Sequence, residues 1–339
     1  GPSRFALMTG RLPSEIGMRN NEDSQIDAVP DEIIANGLGW QLHHAGYETA
    51  YGGKFHLPKG MTAEDIGFQI ISNDERDRLA DDCIDFINRE RDAPFALVAS
   101  FVNPHDICYM AIRDSAATPH EHNILATGTV ELATLDEALQ LPPNVDEESF
   151  YADVCPPLPP NFECQLDEPE ALAVMQAWRP FKANARVSWD ERRWRLHRWA
   201  YARLTEFVDA QIGLVLDAVR DSDQWDNTLI LFTSDHGDMD AAHRMEHKTA
   251  FYEEAAHIPL IVHWPGVTTA GNMNADLVSN GLDLLPTLCD AAGVDAPEGL
   301  RGKSLRSLAE GTPLFDWRHV LPVESEIGRM IVTERYKYM

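Results

Sequence analysis

Three stretches of this sequence run from an apolar segment straight into a polar cluster that could do chemistry. Residues 47–52 (YETAYG) lead into Gly53-Lys54-Phe55-His56, residues 95–102 (FALVASFV) into Asn103-Pro104-His105-Asp106, and residues 228–233 (TLILFT) into Ser234-Asp235-His236-Gly237. Lysine offers positive charge to an anion, histidine offers a proton, and an Asp-His corner offers ligands to a divalent cation. Lys54 and His56 stand two apart, so in an extended chain they point the same way. A fourth stretch opens the chain, Gly1-Pro2-Ser3-Arg4. Proline fixes the entry to a helix and Ser3 can cap it. The helix start then aims N–H groups and a positive dipole at an anion. Arg4 adds a fork suited to a tetrahedral oxyanion. Taken singly, each cluster has a plainer reading as a turn, a surface lysine or a loop histidine. Their shared position just beyond strand ends favours chemistry, because ligands of open α/β sheets bind there.

The elements that must position these residues alternate apolar strands with amphipathic helices. This predicts an α/β domain with a mainly parallel central sheet flanked by helices. Residues 74–91, 190–221 and 281–292 read as helices; Leu79, Cys83, Phe86 and Ile87 give the first its apolar stripe. Residues from about 106 to 189 are rich in proline and acids and too long for a simple connection. They read as an insertion over one edge of the site, ordered because Phe150, Tyr151, Phe162 and Trp178 need burial. Residues 320–326 and 330–339 read as two strands joined at Ile327-Gly328, the start of a small antiparallel subdomain. The expected division is a catalytic domain over 1–315 and this subdomain over 316–339.

Composition narrows the partners. With 55 acidic against 28 basic residues the formal net charge is -27. Such a surface repels nucleic acid and anionic membranes. It also repels an anionic substrate, so any anion site must be a local basic pocket. No apolar run is long enough to span a bilayer, and no signal peptide is visible. The five cysteines contain no CxxC pair, which argues against structural zinc. Cys155 and Cys164 flank a proline-rich loop and are either a disulfide or, the favoured reading, free thiols.

The opening GPSRFALMTGR resembles the sulfatase signature, in which a Cys or Ser sits immediately before an x-P-S-R run. Gly1 takes the place of x, so the residue that becomes formylglycine is expected just upstream of Gly1. YGGKFHLP, NPHD and TSDHGDM resemble further motifs of that family, in the family's order. So do His243, Lys248, Tyr252, Glu253, Glu254 and IPLIVHWPG. The resemblance is to the formylglycine-dependent sulfatases of the alkaline-phosphatase-like superfamily, and it covers essentially the whole chain. It implies hydrolysis of sulfate esters, on a carbohydrate or another sulfated small molecule. Asp235 and His236 are then ligands of Ca2+ or another divalent cation, Lys248 binds the sulfate, and Arg4 and Lys54 hold charge on the transferring group. His105 protonates the leaving alcohol, His56 bonds the formylglycine diol, and His243 touches substrate. Asp106 either orients His105 or sits at the site rim. Two further metal carboxylates usually come from a strand upstream of the nucleophile, so residues 1–339 alone are expected to lack activity. Periplasmic or secreted location follows the family. The alternatives are a phosphonate monoester hydrolase or phosphodiesterase of the same superfamily, and a non-catalytic carbohydrate-binding relative.

Overall fold

A computed structural model describes residues 1–20, 29–58, 60–312 and 316–339. The chain forms two compact units. The first comprises Gly1–Phe101, Gly213–Asp235 and Ile258–Met339; the second comprises Val102–Ile212 and His236–His257.

The first unit is built on strands β1 (Glu48–Gly53), β2 (Gln69–Ser72) and β3 (Phe95–Ser100), all parallel in the order β2-β1-β3. Period-two alternation sends successive side chains of β3 to opposite faces. Ala96 and Val98 pack with Phe5, Leu38, Leu42, Tyr51 and Leu285, whereas Phe95 and Leu97 pack with Ile84, Ile87, Ala218 and Val219. Helices Pro2–Thr9, Leu38–His44 and Asn280–Ala292 therefore serve one face. Helix Leu79–Asn88 and the last turns of Glu191–Asp221 serve the other. Burial on both faces is what a parallel sheet requires.

Several boundaries differ from the sequence reading for local reasons. The helix expected over 74–91 begins only at Leu79. Ahead of it the Asp74 carboxylate accepts the backbone N–H groups of Arg76 and Arg78 at 2.8 and 3.1 Å, which turns the chain before a helix can start. The third apolar segment narrows to β4 (Ile230–Thr233), whose ladder partner is the antiparallel β5 (Leu260–His263) rather than β1 or β3. The tail forms an antiparallel sheet of β6 (Leu321–Ser325), β7 (Gly328–Val332) and β8 (Lys337–Tyr338). One expected strand is two here. Thr333 closes a turn, donating its N–H to the Tyr336 carbonyl at 2.9 Å and accepting the Tyr336 N–H on its hydroxyl at 3.0 Å.

The second unit is helical among its described residues. Helices Cys108–Ser115, Pro119–Thr127, Thr129–Ala138, Glu170–Trp178 and Pro180–Ser188 join the first part of Glu191–Asp221. Their core contains Met110, Leu135, Phe181, Ala185, Trp194 and Leu204. The proline-rich stretch is thus mostly helix, with Pro119 and Pro180 at helix starts where their missing N–H costs nothing and most of the other prolines in the segments between helices. Phe150 is buried and Phe162 packs on the core, but Trp178 is 67 % exposed, contrary to expectation. It ends its helix just before Arg179-Pro180, where the chain changes direction. Cys155 is buried and Cys164 exposed, both as free thiols. No helix among the described residues is long and apolar enough to cross a membrane.

One buried ion pair ties the tail of the first unit to its core. Asp283, with no exposure, accepts both terminal nitrogens of Arg318 at 2.5 Å and the N–H groups of Ser279 and Lys303. This fixes helix Asn280–Ala292, whose Gly281 lies so close to Ala6 that a Cβ there would stand 2.9 Å from the Ala6 Cβ. The seat of the first helix, and of Arg4 on it, depends on that close approach. Arg318→Met leaves a buried carboxylate uncompensated and is expected to cost about 3–5 kcal/mol. Denaturant unfolding checks this: a loss below about 1 kcal/mol would mean that water replaces the guanidinium.

Candidate active site

The first unit brings four of the singled-out segments together. Gly53 at the end of β1 pairs with Ser100 at the end of β3, and the Lys54 N–H donates to the Ser100 carbonyl at 2.8 Å. A Cβ on Gly53 would meet that carbonyl at 2.2 Å, and its φ is +88°, so only glycine fits. Helix Pro2–Thr9 presents Arg4 to these strand ends. Arg4 donates from Nε to Asp235 Oδ2 at 2.9 Å, and from Nη1 to the Lys54 carbonyl at 2.7 Å and Ser100 Oγ at 2.6 Å. The Tyr51 hydroxyl donates to the same Lys54 carbonyl at 2.6 Å. Burial pushes the Tyr51 hydroxyl pKa up, and the Arg4 charge works against that rise. Tyr51 and Ser100 escape a motif reading. A tyrosine three residues before Lys54 and a serine closing its strand carry no signal until the strands are paired.

His56 is exposed, and its φ is +47°. The chain is therefore bent at His56, and the two-residue spacing does not set Lys54 and His56 on one side of an extended strand. The bend follows Gly53, whose positive φ ends β1.

A divalent cation of the kind the motifs imply takes about six or more oxygen ligands when it is calcium. Among the described residues no group of three or more His, Cys, Asp and Glu side chains is arranged to hold a metal. Asp235 already gives Oδ2 to Arg4. Asp235 and His236 therefore do not complete a cation site by themselves.

The second unit holds the rest. His236 has its Nδ1 2.8 Å from the Gly237 carbonyl oxygen, and a Cβ on Gly237 would stand 1.9 Å from the Glu254 carbonyl, so glycine is required. His105 Nδ1 lies 3.6 Å from Asp106 Oδ1, and Asp106 is fully buried. Asp106 is thus beside the imidazole and not at an exposed rim. His243 and Lys248 belong to a segment of unusual backbone. Asp240, Ala241, His243, Arg244, His247 and Thr249 all have positive φ, between 40° and 88°. Each such residue costs of order 1–3 kcal/mol and persists only where its surroundings impose it, and such strain concentrates at functional sites. The His243 ring stacks on Tyr252 with centroids 4.2 Å apart, and its buried Nδ1 has no hydrogen-bond partner among the described residues.

His247 is buried beside the Glu246 carboxylate and among basic groups. Burial first, then the charges of Lys182, Lys248, Arg179 and His105, push its pKa well below the usual 6.5. Its imidazole is neutral in the folded protein at neutral pH. Below pH ~6.5 the unfolded chain takes up this proton first, so stability present above that pH is lost as the pH falls. We expect Tm to drop between pH 6.5 and 5, and His247→Gln to flatten that part of the profile. An unchanged slope would remove His247 from the account. Arg4→Lys keeps the charge but loses the fork, and should cost about 1–3 kcal/mol through the lost hydrogen bonds to Ser100, Lys54 and Asp235. Thermal unfolding of the variant measures that cost.

Comparison with known proteins adds an independent line. Residues 1–294 match the family model described as Sulfatase. The Delta 4,5-hexuronate-2-O-sulfatase of Bacteroides thetaiotaomicron is 27 % identical over 359 aligned positions, covering 99 % of this chain and 69 % of that protein. The N-acetylglucosamine-6-O-sulfatase of the same species is 26 % identical over 371 positions, covering 94 % of this chain and 64 % of that protein. A solved structure of a 2-O GAG sulfatase superposes with a TM-score of 0.78 at 26 % identity, over 99 % of this chain and 71 % of that one. The chain thus spans about two thirds of the length of these curated relatives. With the motifs in family order and the match running from Gly1 to residue 294, this chain belongs to the sulfatase family of sulfuric ester hydrolases.

Proposed function

We propose that the protein carrying this chain hydrolyses sulfate esters of a saccharide. The observation that carries this reading is the Arg4 fork. It draws the opening helix, the end of β1, the end of β3 and Asp235 into one cluster, across 231 residues of sequence between Arg4 and Asp235. The two curated relatives act, by their names, on hexuronate 2-O-sulfate and N-acetylglucosamine 6-O-sulfate, which supports a sulfated sugar as substrate. A formylglycine preceding Gly1 and a divalent cation, calcium, would supply the nucleophile and the polarisation of the sulfate. The remaining ligands of that cation must come from residues other than Asp235 and His236.

The residues of this chain bind, hold charge and move a proton. Arg4, Lys54 and Lys248 hold negative charge on the transferring group, strengthened where water is excluded. His105 gives a proton to the departing alcohol, with the buried Asp106 carboxylate 3.6 Å from its imidazole favouring the charged ring. His56 assists release of sulfate, and His243 contacts the sugar.

Kinetics on the full-length protein test this. An aryl sulfate should be turned over faster than an aryl phosphonate ester, and the reverse order would assign the protein to phosphonate chemistry. His105→Ala should slow substrates with poor leaving groups by about 10²–10⁴-fold while sparing activated aryl sulfates. Equal losses on both classes would move the proton to another group, His243 first.

A further inference from the structure

The segment from Asp240 to Thr249 does not favour its own backbone. Ala241, Arg244 and Thr249 hold φ values of 75°, 53° and 88°, which residues with a Cβ avoid. Groups outside the segment must impose it. Two of them come from one helix, Pro180–Ser188. Arg186 donates from Nη2 to the His243 carbonyl at 3.0 Å, and Lys182 donates from Nζ to the Lys248 carbonyl at 3.3 Å. Lys182 and Arg186 are four residues apart, so they leave the same face of the helix one turn apart. Lys182 is only 5 % exposed.

The helix is itself well anchored. Phe181 and Ala185 lie in the core of the second unit, and the Phe181 N–H donates to the buried Glu121 carboxylate at 3.4 Å. Arg186 is held by Glu168, with Nη1 donating to Oε2 at 2.9 Å and Nη2 donating to Oε1. On the other side, the His243 N–H donates to the Asn161 carbonyl at 2.8 Å.

We propose that Lys182 and Arg186 are positioning residues, which fix the His243 and Lys248 side chains by clamping the carbonyls of those two residues. This rests on the reading of His243 and Lys248 as substrate contacts. A clamped carbonyl fixes its own Cα, and with it the root of the side chain. Neither clamping residue needs to reach the substrate. Displacing a contact by about 1 Å can cost on the order of 100-fold in rate.

The test combines hydrogen exchange with kinetics on the full-length protein, using Lys182→Met, Arg186→Met and Arg186→Lys. In the two methionine variants, amides 239–249 should exchange about tenfold faster or more while those of β1 do not change. On an aryl sulfate, which reads Lys248, and on N-acetylglucosamine 6-O-sulfate, which also reads His243, kcat/KM should fall on the order of 10- to 100-fold, chiefly through KM. Arg186→Lys, which keeps one donor, should recover part of both losses. Unchanged exchange in 239–249 overturns the clamp whatever the kinetics show. Faster exchange with unchanged kcat/KM overturns the positioning role. His243→Ala and Lys248→Ala, run alongside, then separate the two premises: if they too are silent, the substrate assignment has failed, and if they are impaired, the clamp has. Should a methionine variant unfold, Glu168→Gln serves instead, since it weakens the hold on Arg186 without removing a buried basic side chain. Its expected result is a smaller rise in exchange of the same segment, and no rise would again overturn the clamp.

Discussion

The guanidinium of Arg4 is the constraint on which the first unit's site depends. One planar group satisfies a carboxylate on Asp235, a hydroxyl on Ser100 and a carbonyl on Lys54. A charge-assisted fork of this kind fixes both distance and orientation. The three acceptors lie at or just beyond the ends of strands, where a twisted sheet leaves polar groups without ladder partners. Tyr51 adds a fourth donor or acceptor to the same junction, with its ring under the sheet face and its hydroxyl at the Lys54 carbonyl. The packing of helix Pro2–Thr9 is what delivers Arg4 there. That packing depends in turn on Gly281, and on Asp283 holding its helix in place.

The second unit solves a different problem. Its His243 and Lys248 sit on irregular backbone, and irregular backbone needs imposed geometry. The helices of the proline-rich stretch supply it. Glu121 shows how: its carboxylate caps the start of helix Pro119–Thr127 and also accepts the Phe181 N–H, so one buried acid joins two helices. The bonds between one carboxylate and three backbone N–H groups outweigh its burial and hold its pKa below the usual glutamate value.

Charge distribution connects these local devices to the class of substrate. A chain with a formal charge of -27 disfavours anions at long range. Physiological salt screens that field beyond roughly 8 Å, so only nearby cations decide whether an anion binds. Around His247 the second unit places Lys182, Lys248, Arg179 and His105 near one buried ring. These groups form a local basic cluster in an otherwise acidic protein.

The sequence alone determined the family, the order of the motifs and the α/β character, because these rest on short-range patterns: strand alternation, helix stripes and signature spacings. It also singled out Arg4, Lys54, His56, His105, Asp235, His236, His243 and Lys248 as residues suited to sulfate-ester chemistry. It misjudged details set by single side chains, such as the turn Asp74 makes before Leu79 and the break at Thr333. Trp178 shows the same limit, since an aromatic residue in a helix is buried only if a partner surface meets it. Tertiary structure decided what Arg4 bonds to, which residues hold the Lys54 carbonyl, and how residues 240–249 keep a backbone that their own side chains oppose. Tyr51, Ser100, Lys182 and Arg186 carry no motif, because their roles arise only when segments distant in sequence are packed together. Spacing along a chain reports which side of a helix or strand a residue occupies. Which acceptor it meets is fixed by packing between elements, and no local pattern encodes that.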